Sequence, residues 1–333
     1  MTRVVIAPDS FKGTITAAEA AAALADGWRE VEPAADIVLR PMADGGEGTV
    51  AAFATAVPDA RRMPVTVDGP AGAPVETSWL LLPSTTDAPG GTGVVDIAST
   101  SGIELLDGLR PWDADTTGFG QAIAAALDHG VSQLILGIGS SASTDGGTGM
   151  LTALGARFLD GDGRPVARGA RGLADIATAD LGALRTAPDV RVLTDVTNPL
   201  TGSRGAAAVF GPQKGLTEAG DIARVDDALA RLAALLPVDP QLPGTGAAGG
   251  TGAALARWGG ILAPGAAEVA ALVDLAGAVR GAEAVITGEG SYDGQSGDGK
   301  VPSFLAALAV EAGARPLLAA GRIADDADAG LFT

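Results

Sequence analysis

Thirteen consecutive residues, Gly137-Ile-Gly-Ser-Ser-Ala-Ser-Thr-Asp-Gly-Gly-Thr-Gly149, comprise five Gly, three Ser, two Thr, one Asp, one Ala and one Ile. A segment so poor in apolar side chains gains little from burial. It offers backbone N–H groups with no Cβ in the way, and hydroxyls. An anion, phosphate above all, requires those groups at a strand-to-helix turn. The apolar run Gln133-Leu-Ile-Leu136 before it reads as a buried strand, and Met150-Leu-Thr-Ala-Leu-Gly155 after it reads as a helix packed on a sheet. A connection between strand and helix usually takes about two to six residues. The extra length points to a binding loop rather than a plain turn.

The carboxylates and lysines fall in a related pattern. Asp9, Asp44, Asp145, Asp195, Glu289 and Asp293 each sit in an expected strand-end turn beside Gly, Ser or Asn. Lys12, Lys214 and Lys300 are similarly placed. One such Asp would be an ordinary turn former; six in corresponding places suggest a shared site. The chain has no Cys, which excludes disulfides, thiolate nucleophiles and zinc–thiolate sites. Its one His, His129, lies in Leu-Asp-His-Gly and reads as a helix C-terminal residue that complements the dipole. Acid–base work therefore falls to carboxylates or Lys. A divalent metal would take oxygen ligands, which suits Mg²⁺. Converging carboxylates and lysines around a Gly-rich loop fit Mg²⁺-assisted phosphoryl transfer, which needs charge neutralisation and one base rather than covalent chemistry.

Two partial motifs do not hold. Gly137-x-Gly139-x-x-Ala142, with Asp160 beyond it, fits the dinucleotide fingerprint. That fingerprint requires the helix to start at its third position, whereas polar residues and Gly continue here to Gly149. Gly294-x-x-x-x-Gly299-Lys300 has the spacing of a P-loop but carries Val301 where Ser or Thr should bind metal. Lys300 remains a candidate phosphate contact.

The elements that must position these residues alternate. Arg3 to Ala7 reads as a strand, Thr16-Ala-Ala-Glu19 as a capping box opening a helix to about Arg29, Asp36 to Arg40 as a second strand, and a helix follows from Thr49. From Met63 to Leu82 the alternation and Gly/Pro turns imply antiparallel hairpins. Further strands are expected at 93–98, 190–194, 284–287 and 316–320, and a small hairpin at 157–170. The two ends share a parallel α/β texture that the middle lacks. The expectation is a flavodoxin- or Rossmann-like domain from residues 1–63 plus 261–333, with a second α/β domain, 64–260, inserted and carrying the Gly-rich loop.

Composition bounds the function. The 333 residues are 47% hydrophobic and 19% charged, enough for a full core. A net charge of −18 repels nucleic acid and anionic membrane. No apolar run reaches membrane-span length, and the N-terminus opens directly into a strand without a signal-peptide core, so a cytoplasmic location is expected.

Seven stretches in this order resemble the bacterial glycerate kinases of the D-glycerate type: 7–13, 42–49, 137–150, 195–200, 209–215, 246–250 and 287–300. They run across nearly the whole chain. The resemblance implies two different α/β domains with an active site in the interdomain cleft. It also implies ATP, Mg²⁺ and a small hydroxy acid as ligands, with 2-phosphoglycerate the usual product. On this reading Asp195 accepts the glycerate hydroxyl proton, Asn198 orients the substrate, and Asp9, Ser10 and Gln213 join in binding it. Asp44 and Glu47 partner Mg²⁺, and Lys12 and Lys214 offset phosphate and carboxylate charge. Ser141 and the N–H groups from Gly139 to Gly147, including Asp145, Gly146 and Gly147, form the phosphate site, with Glu289, Asp293 and Lys300 at a second contact. A kinase for another hydroxy acid, and a non-catalytic sensor of organic acids, are the alternatives.

The chain departs from the family pattern in three places. Ser140 replaces a Gly, which matters if that position needs φ > 0. Thr144 replaces an Asn, and Ser291-Tyr292 stand where an Arg is common. Family members also continue well past Thr333, so a missing terminal helix would lower stability.

Overall fold

Val4, Val5 and Ile6 are wholly buried. β-Branched side chains suit a strand covered on both faces, and this strand lies in the middle of its sheet. The computed structural model of the protein describes residues 2–11, 14–292, 301–325, 327 and 330–332. Its strands are, in chain order, β1 (Arg3–Ile6), β2 (Asp36–Leu39), β3 (Arg61–Asp68), β4 (Pro74–Leu82), β5 (Thr92–Asp96), β6 (Gln133–Gly137), β7 (Arg157–Leu159), β8 (Thr178–Asp180), β9 (Asp189–Leu193), β10 (Ile261–Ala263), β11 (Ala284–Tyr292) and β12 (Arg315–Ile323). The chain divides into two units, Met1–Ala60 with Pro264–Thr333, and Arg61–Ala263.

The first unit has a parallel sheet in the order β12-β11-β1-β2. Between β1 and β2 runs the Ala17–Val31 helix, opened by the expected capping box: Glu19 N–H donates to Thr16 Oγ, and Glu19 Oε2 accepts from Thr16 N–H. Its buried face is Ala17, Ala20, Ala21 and Ala25, small side chains at helical spacing. Two of them, Ala21 and Ala25, meet Val4, Ile6, Ala284 and Ile286 of the sheet. Strand order reverses at β1, since β2 lies on one side of it and β11 on the other. Open α/β sheets bind ligands at the C-terminal ends of strands beside such a reversal.

The second unit has a six-stranded sheet in the order β10-β9-β6-β5-β4-β3. The strands β10, β9, β6 and β5 are parallel, and β4 and β3 extend the edge as the expected antiparallel hairpin. The small hairpin expected over 157–170 forms only in part. Asp160 N–H donates to Arg164 O and closes the turn, but the ladder partner of β7 is β8. The returning segment contributes just one bridge, Leu159 to Pro165. Pro165 cannot donate to a ladder. The expected strand end at Thr287 is also corrected: β11 runs on to Tyr292, because Gly288 and Glu289 stay in register with Ala319 and Ala320 of β12.

The Thr117–His129 helix ends as its sequence implies, with Gly130 in the left-handed region at φ 92 and His129 in the last turn. The His129 ring also meets Trp79 edge-on, with centroids 5.6 Å apart. In this helix Gly120 lies against the Thr148–Ala153 helix, where a Cβ would sit 2.5 Å from Met150 O and 2.7 Å from Met150 Cα. Gly120→Ala therefore forces backbone apart at the contact that seats the Gly-rich loop. Overpacking of this kind costs about 1–3 kcal/mol. The expected result is a thermal midpoint several degrees lower by calorimetry; an unchanged midpoint would show that the two helices separate easily.

Candidate functional site

In the first unit the polar residues gather at the C-terminal ends of β1 and β11. Asp9 N–H donates to Gly288 O at 2.8 Å, which fixes the turn after β1 on β11. Asp9 and Ser10 are buried, and Ser10 N–H donates to Asp9 Oδ1 at 2.7 Å. The Ser10 hydroxyl has no hydrogen-bond partner among the described residues. Met42 N–H donates to Pro8 O, so the 42–47 turn lies beside it. There Asp44 Oδ1 accepts from Gly46 N–H at 2.9 Å, and Glu47 is exposed. Gly265 seats the Gly265–Leu272 helix against this turn, since a Cβ would lie 2.0 Å from Asp44 O. Asp9, Ser10, Asp44 and Glu47 thus share one end of one sheet. Lys12, Asp293 and Lys300 lie outside the described residues.

Among the described residues no group of three or more His, Cys, Asp or Glu could hold a metal ion. Mg²⁺ does not need such a cage: it commonly takes one or two carboxylates, completed by water and phosphate oxygens. Asp44 and Glu47, two hard oxygen donors on one turn, match that smaller demand.

In the second unit the Gly-rich loop leaves β6 between its neighbours β5 and β9. Its first step continues the sheet, with Ile138 N–H donating to Leu193 O. Asp195 follows two residues after Leu193, so the register sets it beside the start of the loop. Asp195 is half-buried. Asn198 is half-buried, and its amide nitrogen donates to Arg204 O at 2.8 Å. Gln213 is exposed.

The loop itself is not an open surface cradle. Residues 141–150 are all buried, and only Gly139 and Ser140 at its start are partly exposed. Ser140 has φ 63, a region that costs an L-residue about 1–2 kcal/mol, which explains the Gly that the family pattern prefers there. Gly146 and Gly147 also have positive φ. A Cβ on Gly146 would reach 2.4 Å from Leu232, and one on Gly147 would reach 2.6 Å from Ala254. These two glycines serve close packing as well as turn geometry.

Asp145 is fully buried and anchors the loop. Its carboxylate accepts from Thr116 N–H and Oγ, Gly147 N–H and Gly149 N–H, at 2.8–3.2 Å. Burial and the nearby Asp115 raise its pKa, against the lowering effect of those hydrogen bonds. With its oxygens turned to the loop's own backbone and to Thr116, Asp145 fixes the course of the loop. Asp115 is held in turn by Arg168, whose Nε and Nη2 donate to its two oxygens at 2.7 and 3.0 Å. Sequence reasoning passed over Asp115, Thr116 and Arg168. The Asp-Thr-Thr triplet before a helix was a readable N-terminal signal; Arg168 left none, since its partners are 53 and 100 residues away.

Lys214 is carried by the Pro212–Lys214 helical turn between Gly211 and Gly215. Gly215, at φ 99, ends the turn. The side chain points inward and is 3% exposed. Its Nζ donates to Ser141 Oγ at 2.7 Å and to Ser143 O at 2.6 Å. Burial pulls its pKa down from 10.5 to about 7, and the Asp145 charge opposes that pull. The hydroxyls of Ser143 and Thr144 are buried beside this contact in the sequence and have no hydrogen-bond partner among the described residues. The loop thus combines a lysine that titrates near neutrality, a serine bonded to it, and partly exposed backbone at Gly139 and Ser140. That set can receive a phosphoryl oxygen and adjust its charge to it.

The lowered value has a stability consequence. The unfolded chain keeps the Lys214 proton up to about 10.5, whereas the folded chain releases it near 7. Between these values the unfolded state holds more protons, so this contribution to stability grows as pH rises from about 7 toward 10.5. Urea unfolding at pH 7 and pH 9 should show that rise in the wild type and a flatter profile in Lys214→Met. Equal slopes in both would mean that Lys214 titrates normally.

Comparison with known proteins adds an independent line. Residues 4–331 match the family model described as the glycerate kinase family. A glycerate kinase of Halalkalibacterium halodurans is 40% identical over 336 residues, covering 97% of this chain and 86% of that protein. The glycerate 2-kinase of Escherichia coli K12 is 40% identical over 335 residues, with the same coverage. A crystal structure from Salmonella typhimurium LT2 carrying the glycerate kinase 2 name aligns with TM-score 0.85 and 41% identity, covering 96% of this chain and 87% of that one.

Proposed function

The chain belongs to the glycerate kinase family, and we propose that it transfers the γ-phosphoryl group of ATP, with Mg²⁺, to the 2-hydroxyl of D-glycerate. The observation that carries this reading is the buried Lys214 bonded to Ser141 inside the Gly-rich loop, at the sheet end that also presents Asp195. The name of the Escherichia coli relative supports the 2-phosphate as product.

The roles follow from residue chemistry. Asp195 accepts the proton of the glycerate hydroxyl as its oxygen bonds to the γ-phosphorus, and the bond from that phosphorus to the ADP oxygen breaks. Asn198 orients the acceptor through its Oδ1, and Gln213, exposed on the turn that carries Lys214, is a further substrate contact. Lys214 and Ser141 donate to phosphoryl oxygens, with the N–H groups of Gly139 and Ser140 beside them. Asp145, Gly146 and Gly147 hold these donors in place. In the other unit Asp9 and the buried Ser10 hydroxyl bind the hydroxy acid, and Lys12 offsets its carboxylate. Asp44 and Glu47 hold Mg²⁺, which when bound neutralises charge on the phosphate oxygens. Glu289, Asp293 and Lys300 make the second nucleotide contact. The reading needs no thiol and no catalytic His, in keeping with the composition.

The primary test is ADP release from MgATP with D-glycerate, L-glycerate or no acceptor, with phosphorus NMR of the product. Release that depends on D-glycerate and a 2-phosphate resonance are expected; turnover with another hydroxy acid alone would replace the acceptor. Asp195→Asn should lower kcat by about 10²–10⁴-fold, the range of a lost general base, with little change in the KM for ATP. A kcat within threefold of wild type would remove Asp195 from the base role.

A further inference from the structure

Behind the loop, in the Arg61–Ala263 unit, lies a cavity of about 310 Å³ that the roles above leave unused. Its apolar wall is Ala156, Phe158 and Leu159 from β7 and its lead-in, with Pro165 and Val166 of the returning segment opposite. The other side is polar: Thr117 and Thr148 from the starts of two helices and Thr152 one turn further along the second, with Arg157 and Arg168 at the rim. The Thr117–His129 helix connects the parallel strands β5 and β6, so Thr117 stands at their C-terminal end. The cavity therefore has a wall at the same end of the sheet as the Gly-rich loop, and Thr148 and Gly149 belong to both.

The lining states a chemistry. The Thr148 hydroxyl donates to Asp145 O and the Thr152 hydroxyl donates to Thr148 O, so each keeps oxygen lone pairs for an incoming N–H. The Thr117 hydroxyl makes no hydrogen bond among the described residues and can donate or accept. Arg168 is committed to Asp115 and Asp68. The Arg157 guanidinium has no ion pair or hydrogen bond among the described residues. A flat ring with apolar faces, an amino edge and a nearby anion meets these demands together. Pockets for small molecules run from about 300 Å³ upward, so this volume suits a base with part of its sugar rather than a whole nucleotide.

We propose that this cavity is the purine pocket of the nucleotide donor, the adenine amino edge facing the three threonines and Arg157 meeting the ribose-phosphate side. The inference rests on the phosphotransfer reading for the identity of the nucleotide, but its geometry stands on the cavity alone. Occupancy would also touch the loop's anchor. Thr148 bonds Asp145 O, Gly149 N–H bonds the Asp145 carboxylate, and Thr117 N–H bonds Asp115. A seated base would thereby stiffen the segment that positions Ser141 for Lys214.

The test uses the full chain and two variants at exposed rim positions, Ala167→Trp, which lays an indole across the mouth, and Arg157→Ala. Saturation-transfer NMR with adenosine reports the base, and steady-state kinetics reports MgATP and D-glycerate. The expected result is adenosine H2 and H8 saturation in wild type that Ala167→Trp abolishes. With it should come a KM for ATP raised at least tenfold, and a KM for D-glycerate within twofold of wild type. Arg157→Ala should raise the KM for ATP while adenosine still binds. No adenosine signal in wild type, or an equal signal in Ala167→Trp, overturns the proposal. Loss of the signal with an unchanged KM for ATP overturns the donor assignment, leaving a separate nucleoside site. Loss of the signal in a protein that phosphorylates no glycerate supports the pocket and instead sinks the acceptor reading.

Discussion

The loop's architecture depends on one buried carboxylate. Asp145 draws N–H groups from Thr116, Gly147 and Gly149 and the Thr116 hydroxyl onto itself, with no exposure to water. A buried carboxylate with no such partners would be driven to the neutral form or out of the fold. Here its acceptor sites define where the loop's backbone must run. The same charge is felt by Lys214, which burial pulls toward neutrality and Asp145 pulls back. Remove Asp145 and the loop loses both its internal template and the field that keeps its lysine partly charged.

That template works only because the loop's glycines admit neighbours. Gly146 and Gly147 accept Leu232 and Ala254 within distances no Cβ would allow. Gly249, in a second Gly-rich segment over residues 244–252, does the same against Ser143 O, and its carbonyl accepts from Gly146 N–H at 3.0 Å. The two glycine-rich segments, a hundred residues apart in sequence, are one interlocked structure. Their glycines buy proximity rather than flexibility. The one partly exposed step of the loop, Gly139-Ser140, is where a ligand can reach the backbone, and it is there that Ser140 sits in the strained left-handed region.

What the sequence made legible was local. The capping box at Thr16, the β-branched strand at Arg3–Ile6, the antiparallel edge over 61–82 and the position of the loop after β6 follow from patterns a few residues long. What it hid was long-range. A run of Gly, Ser, Thr and Asp reads as exposed, because its own side chains bury little; its burial comes from Leu229, Leu232 and Ala254. Arg168 reaching Asp115 and Asp68, and β8 rather than the nearer segment pairing with β7, are tertiary choices with no local signal. Among the candidate residues, type and strand-end position singled out Lys214 and Asp195 for a proposed role, but the inward orientation of Asp145 could not be read from either.

A chain of net charge −18 faces a general difficulty in holding polyanions. A permanently charged lysine in the interior would carry a heavy desolvation cost whenever the site is empty. Burial pulls the Lys214 pKa down to about 7, so it gives up its proton far more readily than a solvated lysine. An arriving phosphoryl oxygen at Ser141 would favour its charged form and draw a proton onto Nζ, by the same electrostatics through which Asp145 already raises its pKa. The positive charge then exists chiefly while there is an anion for it to meet. Backbone N–H groups of the partly exposed Gly139-Ser140 step complete the site without adding net charge. On the proposed reading, this unit of an acidic protein would meet phosphate through backbone dipoles and a lysine whose charge depends on its surroundings, with the buried carboxylate beneath the loop as part of those surroundings.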